Sequence, residues 1–80
     1  MVYIFKKSTR RGKKYDVYKD GVYLVSFGSK YYQQFKDRTP VKAWKHLDHN
    51  DPKRKANYYS RFGREADFES AKYFSHNFLW

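Results

Sequence analysis

Lys45-His46-Leu47-Asp48-His49-Asn50-Asp51 is the one stretch of this chain in which possible metal ligands cluster. Paired histidines with flanking carboxylates match the side-chain types of metal-dependent nucleases, where a His activates water and an Asp or Asn holds a divalent ion. Two of these groups have simpler uses. Asp51 precedes Pro52 and reads as a helix N-cap, and Asp48 or Asn50 reads as a helix stop. His76 lies in a later apolar segment and reads as a packing or surface histidine rather than a third ligand. Glycines 12, 21, 28 and 63 are isolated turn residues, so no glycine-rich phosphate loop is present. The Ser, His and Asp residues have no spacing that suggests a nucleophile and its base. The expectation is a protein that is not an enzyme and uses neither cofactor nor metal.

A second chemistry is better supplied. Lys6, Lys7, Arg10, Arg11, Lys13 and Lys14 crowd the first loop, and Lys53, Arg54 and Arg61 recur with Asn57 farther along, all interleaved with aromatic residues. Cationic groups neutralise phosphates and release counterions, a term that needs no base sequence. Exposed tyrosines add base stacking on single strands. Residues 10, 11, 13, 14, 53, 54, 57 and 61 (Arg10, Arg11, Lys13, Lys14, Lys53, Arg54, Asn57 and Arg61) are therefore the expected nucleic-acid contacts.

The balance of charge agrees, with 18 Lys and Arg against 8 Asp and Glu, a net charge of +10. It is uneven: residues 1 to 64 carry 17 basic and 5 acidic side chains, residues 65 to 80 carry 1 and 3. Such a field attracts polyanions, of which nucleic acid is the most abundant, and the expected partner is nucleic acid, DNA in particular. It serves equally against an acidic capsid surface. No stretch approaches the roughly 20 apolar residues of a membrane span, and the opening residues lack a signal-peptide cleavage site. The expectation is a protein neither secreted nor transmembrane.

These groups need a scaffold. Eighty residues make one domain, 1–80, that buries only about 60 to 65% of its unfolded surface. Without cysteine, packing must come from nine Tyr, seven Phe and two Trp. Val2 to Phe5 reads as a strand. Asp20-Gly21 sits between two strand-like runs, the signal for a two-residue type I′ hairpin. Pairing Lys19 with Val22 sets Tyr18 opposite Tyr23 and Val17 opposite Leu24, so Tyr15, Val17, Val22 and Leu24 share one face and Tyr18, Tyr23, Val25 and Phe27 the other. Tyr31 to Phe35 fits strand or helix equally. Thr39-Pro40 signals a short helix through Val41, Trp44 and Leu47. Asp51-Pro52 and Gly63 frame a helix near 52 to 62, with Lys53, Arg54, Asn57 and Arg61 opposite Tyr58, Tyr59 and Phe62, and with Lys55 projecting among the rings. Ser70 caps a last helix with Ala71, Phe74 and Phe78 in an apolar stripe. The expected fold is α+β, an N-terminal antiparallel hairpin or small sheet packed against two or three short helices.

Several runs also carry a resemblance: Lys14-Tyr-Asp-Val-Tyr18, Val25-Ser-Phe-Gly28, Leu47-Asp-His-Asn-Asp-Pro-Lys-Arg-Lys55, Tyr58-Tyr-Ser-Arg-Phe-Gly63 and Ser70-Ala-Lys-Tyr-Phe-Ser-His-Asn-Phe-Leu-Trp80. Together they resemble an uncharacterised family of small basic proteins encoded by large double-stranded-DNA viruses of algae and amoebae and by tailed phages. Lys55 and Phe62 depart from the family pattern, the latter replacing a histidine. The resemblance implies a virus-encoded protein of the virion or of the host cytoplasm or nucleus, either associated with nucleic acid or acting as a minor capsid or head-assembly component beside other capsid proteins.

Overall fold

In the computed structural model, which describes residues 2–80, Asp20 and Gly21 both take positive φ, 50° and 85°. This is the type I′ turn, whose twist matches that of the strands it joins. It connects β2 (Lys13–Lys19) to β3 (Val22–Ser29), and β1 (Tyr3–Lys7) adds on the other side of β2 to give an antiparallel sheet in the order β1-β2-β3. After the sheet come a single 3-10 turn at Lys45–Leu47 and two helices, α1 (Pro52–Phe62) and α2 (Ala71–Phe78). The α+β expectation holds.

The register starts as expected, Lys19 against Val22 and Tyr18 against Tyr23, and then slips: Val17 pairs with Val25 rather than Leu24, and Tyr15 with Phe27. A bulge next to Tyr18 leaves Leu24 as the extra residue. Because side chains alternate with a period of two, one inserted residue exchanges the faces of everything beyond it. Val25 and Phe27 therefore join Tyr15 and Val17, correcting the face assignment made from a regular hairpin.

This face is the core. Phe5, Tyr15, Val17 and Phe27 are buried with Phe74 of α2 and Leu79 just beyond it. Phe5 meets Phe74 and Phe27 edge to face, with centroids 6.1 Å apart in both pairs. Where α2 ends, Leu79 sits so close to the sheet that a Cβ added at Gly28 would lie 2.9 Å from its Cδ1, at a φ of 77° that side chains rarely adopt.

The segment 31–50 forms neither of the elements its sequence allowed. Apart from the 3-10 turn at Lys45–Leu47 it is irregular, with a bridge between Gln34 and Asp48. Thr39 does act as a cap, its Oγ1 accepting from the Lys42 amide at 3.1 Å, but Lys42 then turns to a φ of 53° and the helix expected through Val41 and Trp44 does not form. The reason is tertiary. The Trp44 amide, which a helix would give to residue 40, donates instead to Asp37 Oδ2 (3.2 Å) and the Tyr15 hydroxyl (3.3 Å). Asp37 is wholly buried and also accepts from the Tyr15 hydroxyl and from Thr39. A buried carboxylate must be satisfied, and it takes backbone donors that a helix would have used.

Among the described residues, no helix is long and apolar enough to cross a membrane.

Candidate nucleic-acid interface

Helix α1 begins with Asp51, whose side chain accepts from the Lys53 amide at 2.9 Å, and ends at Gly63 with a φ of 77°. These caps are those the sequence predicts. The helix buries none of its residues, and it is attached by rings instead. Tyr58 stacks on Trp80, centroids 4.3 Å apart and planes 2° from parallel. The Tyr58 hydroxyl lies 2.9 Å from His76 Nδ1, and His76 Nε2 lies 3.0 Å from the Gly63 carbonyl. A carbonyl only accepts, so Nε2 carries the proton and Nδ1 accepts from Tyr58. Burial lowers the pKa of His76 and holds it neutral. Burial likewise pushes the Tyr58 phenol up to about 12, keeping it a donor. Tyr59 and Arg38 both donate to the His76 carbonyl. His76 is thus the clamp between the two helices.

This attachment leaves a groove of about 800 Å³ between α1, the turn after β3 and the chain beyond α2. Arg54, Asn57 and Arg61 line it from the helix, and Tyr32 and Gln33 from the turn. Gln33 Oε1 accepts from Arg54 Nη1 at 2.8 Å and so fixes one guanidinium at the rim. Trp80 and Phe62 complete the wall. Tyr32 is 72% exposed and Phe62 48%. Phe62, expected on the side of the helix opposite Arg54, Asn57 and Arg61, lines the same groove as they do.

Lys14 departs from its expected place on an open basic loop. It is 1% exposed, its stem packed beside Gly28 and its Nζ donating to the Tyr32 carbonyl (2.8 Å) and to Gln34 Oε1. Desolvation lowers its pKa to about 8, against the pull of Asp37 and Asp48. An ammonium has three donors, and two of these are used. Lys14 still belongs to the lining of the groove, beneath the arginines.

The other expected contacts divide. Arg11 is exposed in the β1–β2 connection and Lys13 at the first position of β2, at the end of the sheet where the groove lies. That connection touches the turn after β3, since Lys30 donates from its amide to the Gly12 carbonyl and Tyr31 packs beside Gly12. Lys53 is exposed in the first turn of α1, outside the groove lining. Arg10 lies 4.4 Å over the Tyr23 ring, on the face of the sheet turned away from α2, where Lys6 covers Tyr18. Arg54, Asn57, Arg61 and Lys14 are therefore brought together, and Arg10 stands apart. Lys55 reaches over the half-buried Phe35 ring, its ammonium 4.6 Å from the centroid.

No Asp or Glu side chain lines the groove. Asp16, Asp37 and Asp48 are tied into internal hydrogen bonds, the last two near Lys14, and among the described residues the exposed Asp and Glu side chains are Asp20, Glu65 and Asp67. Asp20 is in the hairpin turn at the opposite end of the sheet from the groove. There Glu69 pairs with Lys19 (2.8 Å) and accepts from the Tyr3 hydroxyl. Glu65 and Asp67, with Arg64 and Lys72, line a separate cleft beside α2.

In the histidine-rich run, Asp48 Oδ1 accepts from Gln34 and from the Asp37 amide, His49 Nδ1 from the Asp51 amide, and His46 leans on Trp44. Among the described residues no three His, Cys, Asp or Glu side chains are grouped to hold a metal ion.

Comparison with protein-family models, curated proteins and solved structures returns no match. The reading of the groove rests on its own residues. Those that sequence reasoning missed include Tyr32, Gln33, Phe62 and Trp80. The first two lie in a segment without periodicity, where an adjacent Tyr-Tyr pair after the Gly28-Ser29-Lys30 break was the available signal.

Proposed function

We propose that the protein is a non-enzymatic nucleic-acid-binding module that contacts phosphates through the groove face of α1 and the neighbouring Arg11 and Lys13, where the β1–β2 connection enters β2. The observation that carries this reading is the charge of the groove lining: Arg54, Arg61 and the buried Lys14 line it with no Asp or Glu side chain among them, Arg11 and Lys13 are exposed at the same end of the sheet, and the exposed Asp20, Glu65 and Asp67 lie outside it. A concave surface lined by one sign of charge concentrates a polyanion.

The test is a salt-titrated binding series against duplex DNA, single-stranded DNA and RNA. The double variant Arg54→Glu, Arg61→Glu should weaken binding across all sequences and flatten the slope of log K against log salt by about 2, about one unit for each lost phosphate contact. Unchanged affinity at low salt would overturn the reading.

An assembly role, as a minor capsid or head component, draws on a different feature. Val2, Val22 and Phe68 are exposed around Lys19 at the hairpin end, where an apolar surface suits a protein neighbour. Fixed stoichiometry of the chain in empty shells would favour it.

A further inference from the structure

Polyanion binding by itself does not distinguish a duplex from a single strand, but the groove contains more than charge. We propose, resting on the reading above, that its ligand is single-stranded nucleic acid, with one base turned into the groove between Tyr32 and Phe62.

Three observations lead there. The first is shape. A groove of about 800 Å³ falls within the ~300–1,000 Å³ of pockets that take small-molecule-sized groups, which is room for a base with its sugar and not for two paired strands. A duplex also keeps its base faces stacked inside, so it cannot use rings set within a concavity. The second is the rings. Tyr32 and Phe62 both line the groove and both leave much of their surface in water, a cost that the fold does not require of them. A base laid against them removes that surface from water and gains stacking, an interaction open to any sequence. The third is the placement of polar groups. Arg54 and Arg61 on the helix are one turn either side of Asn57, so the backbone of a bound strand meets guanidinium groups while the Asn57 amide faces the edge of an inserted base.

The experiment compares a labelled oligothymidylate of roughly a dozen nucleotides with a duplex of matched length and with polyglutamate, at constant salt, for the parent protein, Tyr32→Ala and Phe62→Ala. Both rings are exposed enough for the variants to keep the parent's thermal melt and circular dichroism. The proposal expects tighter binding of the single strand than of the duplex. It also expects each alanine variant to weaken single-strand binding about fivefold to a hundredfold while leaving duplex binding unchanged. Equal binding of single strand and duplex, with both variants neutral, overturns the inserted base and leaves the polyanion reading standing. Polyglutamate bound as tightly as the oligonucleotide overturns it in favour of an acidic protein surface. Failure of every nucleic acid to bind removes the underlying reading itself.

Discussion

The two helices have similar boundaries and different attachments. Each starts at a side-chain cap, Asp51 for α1 and Ser70 for α2, and each presents a face of aromatic residues. Helix α2 lays Phe74 wholly out of solvent against Phe5, Phe27 and Tyr3. Helix α1 buries nothing completely and rests on Tyr58, Tyr59 and the His76 clamp. Caps and periodicity locate a helix and its apolar side, but what that side meets is decided by distant parts of the chain. The difference also separates duties. Helix α2 commits its apolar stripe to the core, whereas α1, attached along one edge, keeps Arg54, Asn57 and Arg61 in the open.

That contrast can be broken at several places. The largest effect is expected at Phe74→Ala, which removes the ring at the centre of the core. It should cost about 3 to 5 kcal/mol, enough to unfold much of a small domain, and chemical denaturation measures it. Tyr58→Ala should cost less, about 1 to 2 kcal/mol, because the residue is only partly buried. Its signature is regional: amide exchange should rise along α1 while α2 stays protected.

Acid provides a smaller perturbation of the same joint. The pKa of folded His76 lies below its unfolded value, so the unfolded chain binds more protons as pH falls through the ordinary histidine range near 6.5. Stability is therefore whole at neutral pH and decreases toward pH 5. His49, also lowered by burial, adds to the same trend. A melt series between pH 7.5 and 5, repeated on His76→Gln, should show a weaker pH dependence in the variant; these limits bracket the unperturbed His value of about 6.5. The smallest effect is expected from Arg54→Glu, Arg61→Glu, whose stability should stay within about 0.5 kcal/mol of the parent because both side chains are exposed. A large loss there would mean that α1 contributes structurally through its open face as well.

What could be read from the sequence follows the range of the interaction. The Asp20-Gly21 turn, the limits of α1 and the capping of α2 by Ser70 depend on residues within a few positions of one another, and all three were legible. So was the placing of Arg54, Asn57 and Arg61 on one helix face. The bulge at Leu24 was not, since nothing local to Val22–Ser29 distinguishes it from a regular strand; burying Phe27 beside Tyr15 is what selects it. The helix at Thr39-Pro40 failed for a similar reason: its cap formed, but Asp37 and Tyr15 took the Trp44 amide. Lys14 sits in a run of basic residues that reads as loop, and only the approach of Gln34 and the Tyr32 carbonyl gives its ammonium somewhere to go inside.

The groove is bounded by two guanidinium groups and one buried ammonium, with no Asp or Glu side chain among its lining residues. Any anion settling there would exchange a mobile ionic atmosphere for fixed cations, so its hold should loosen as salt is added.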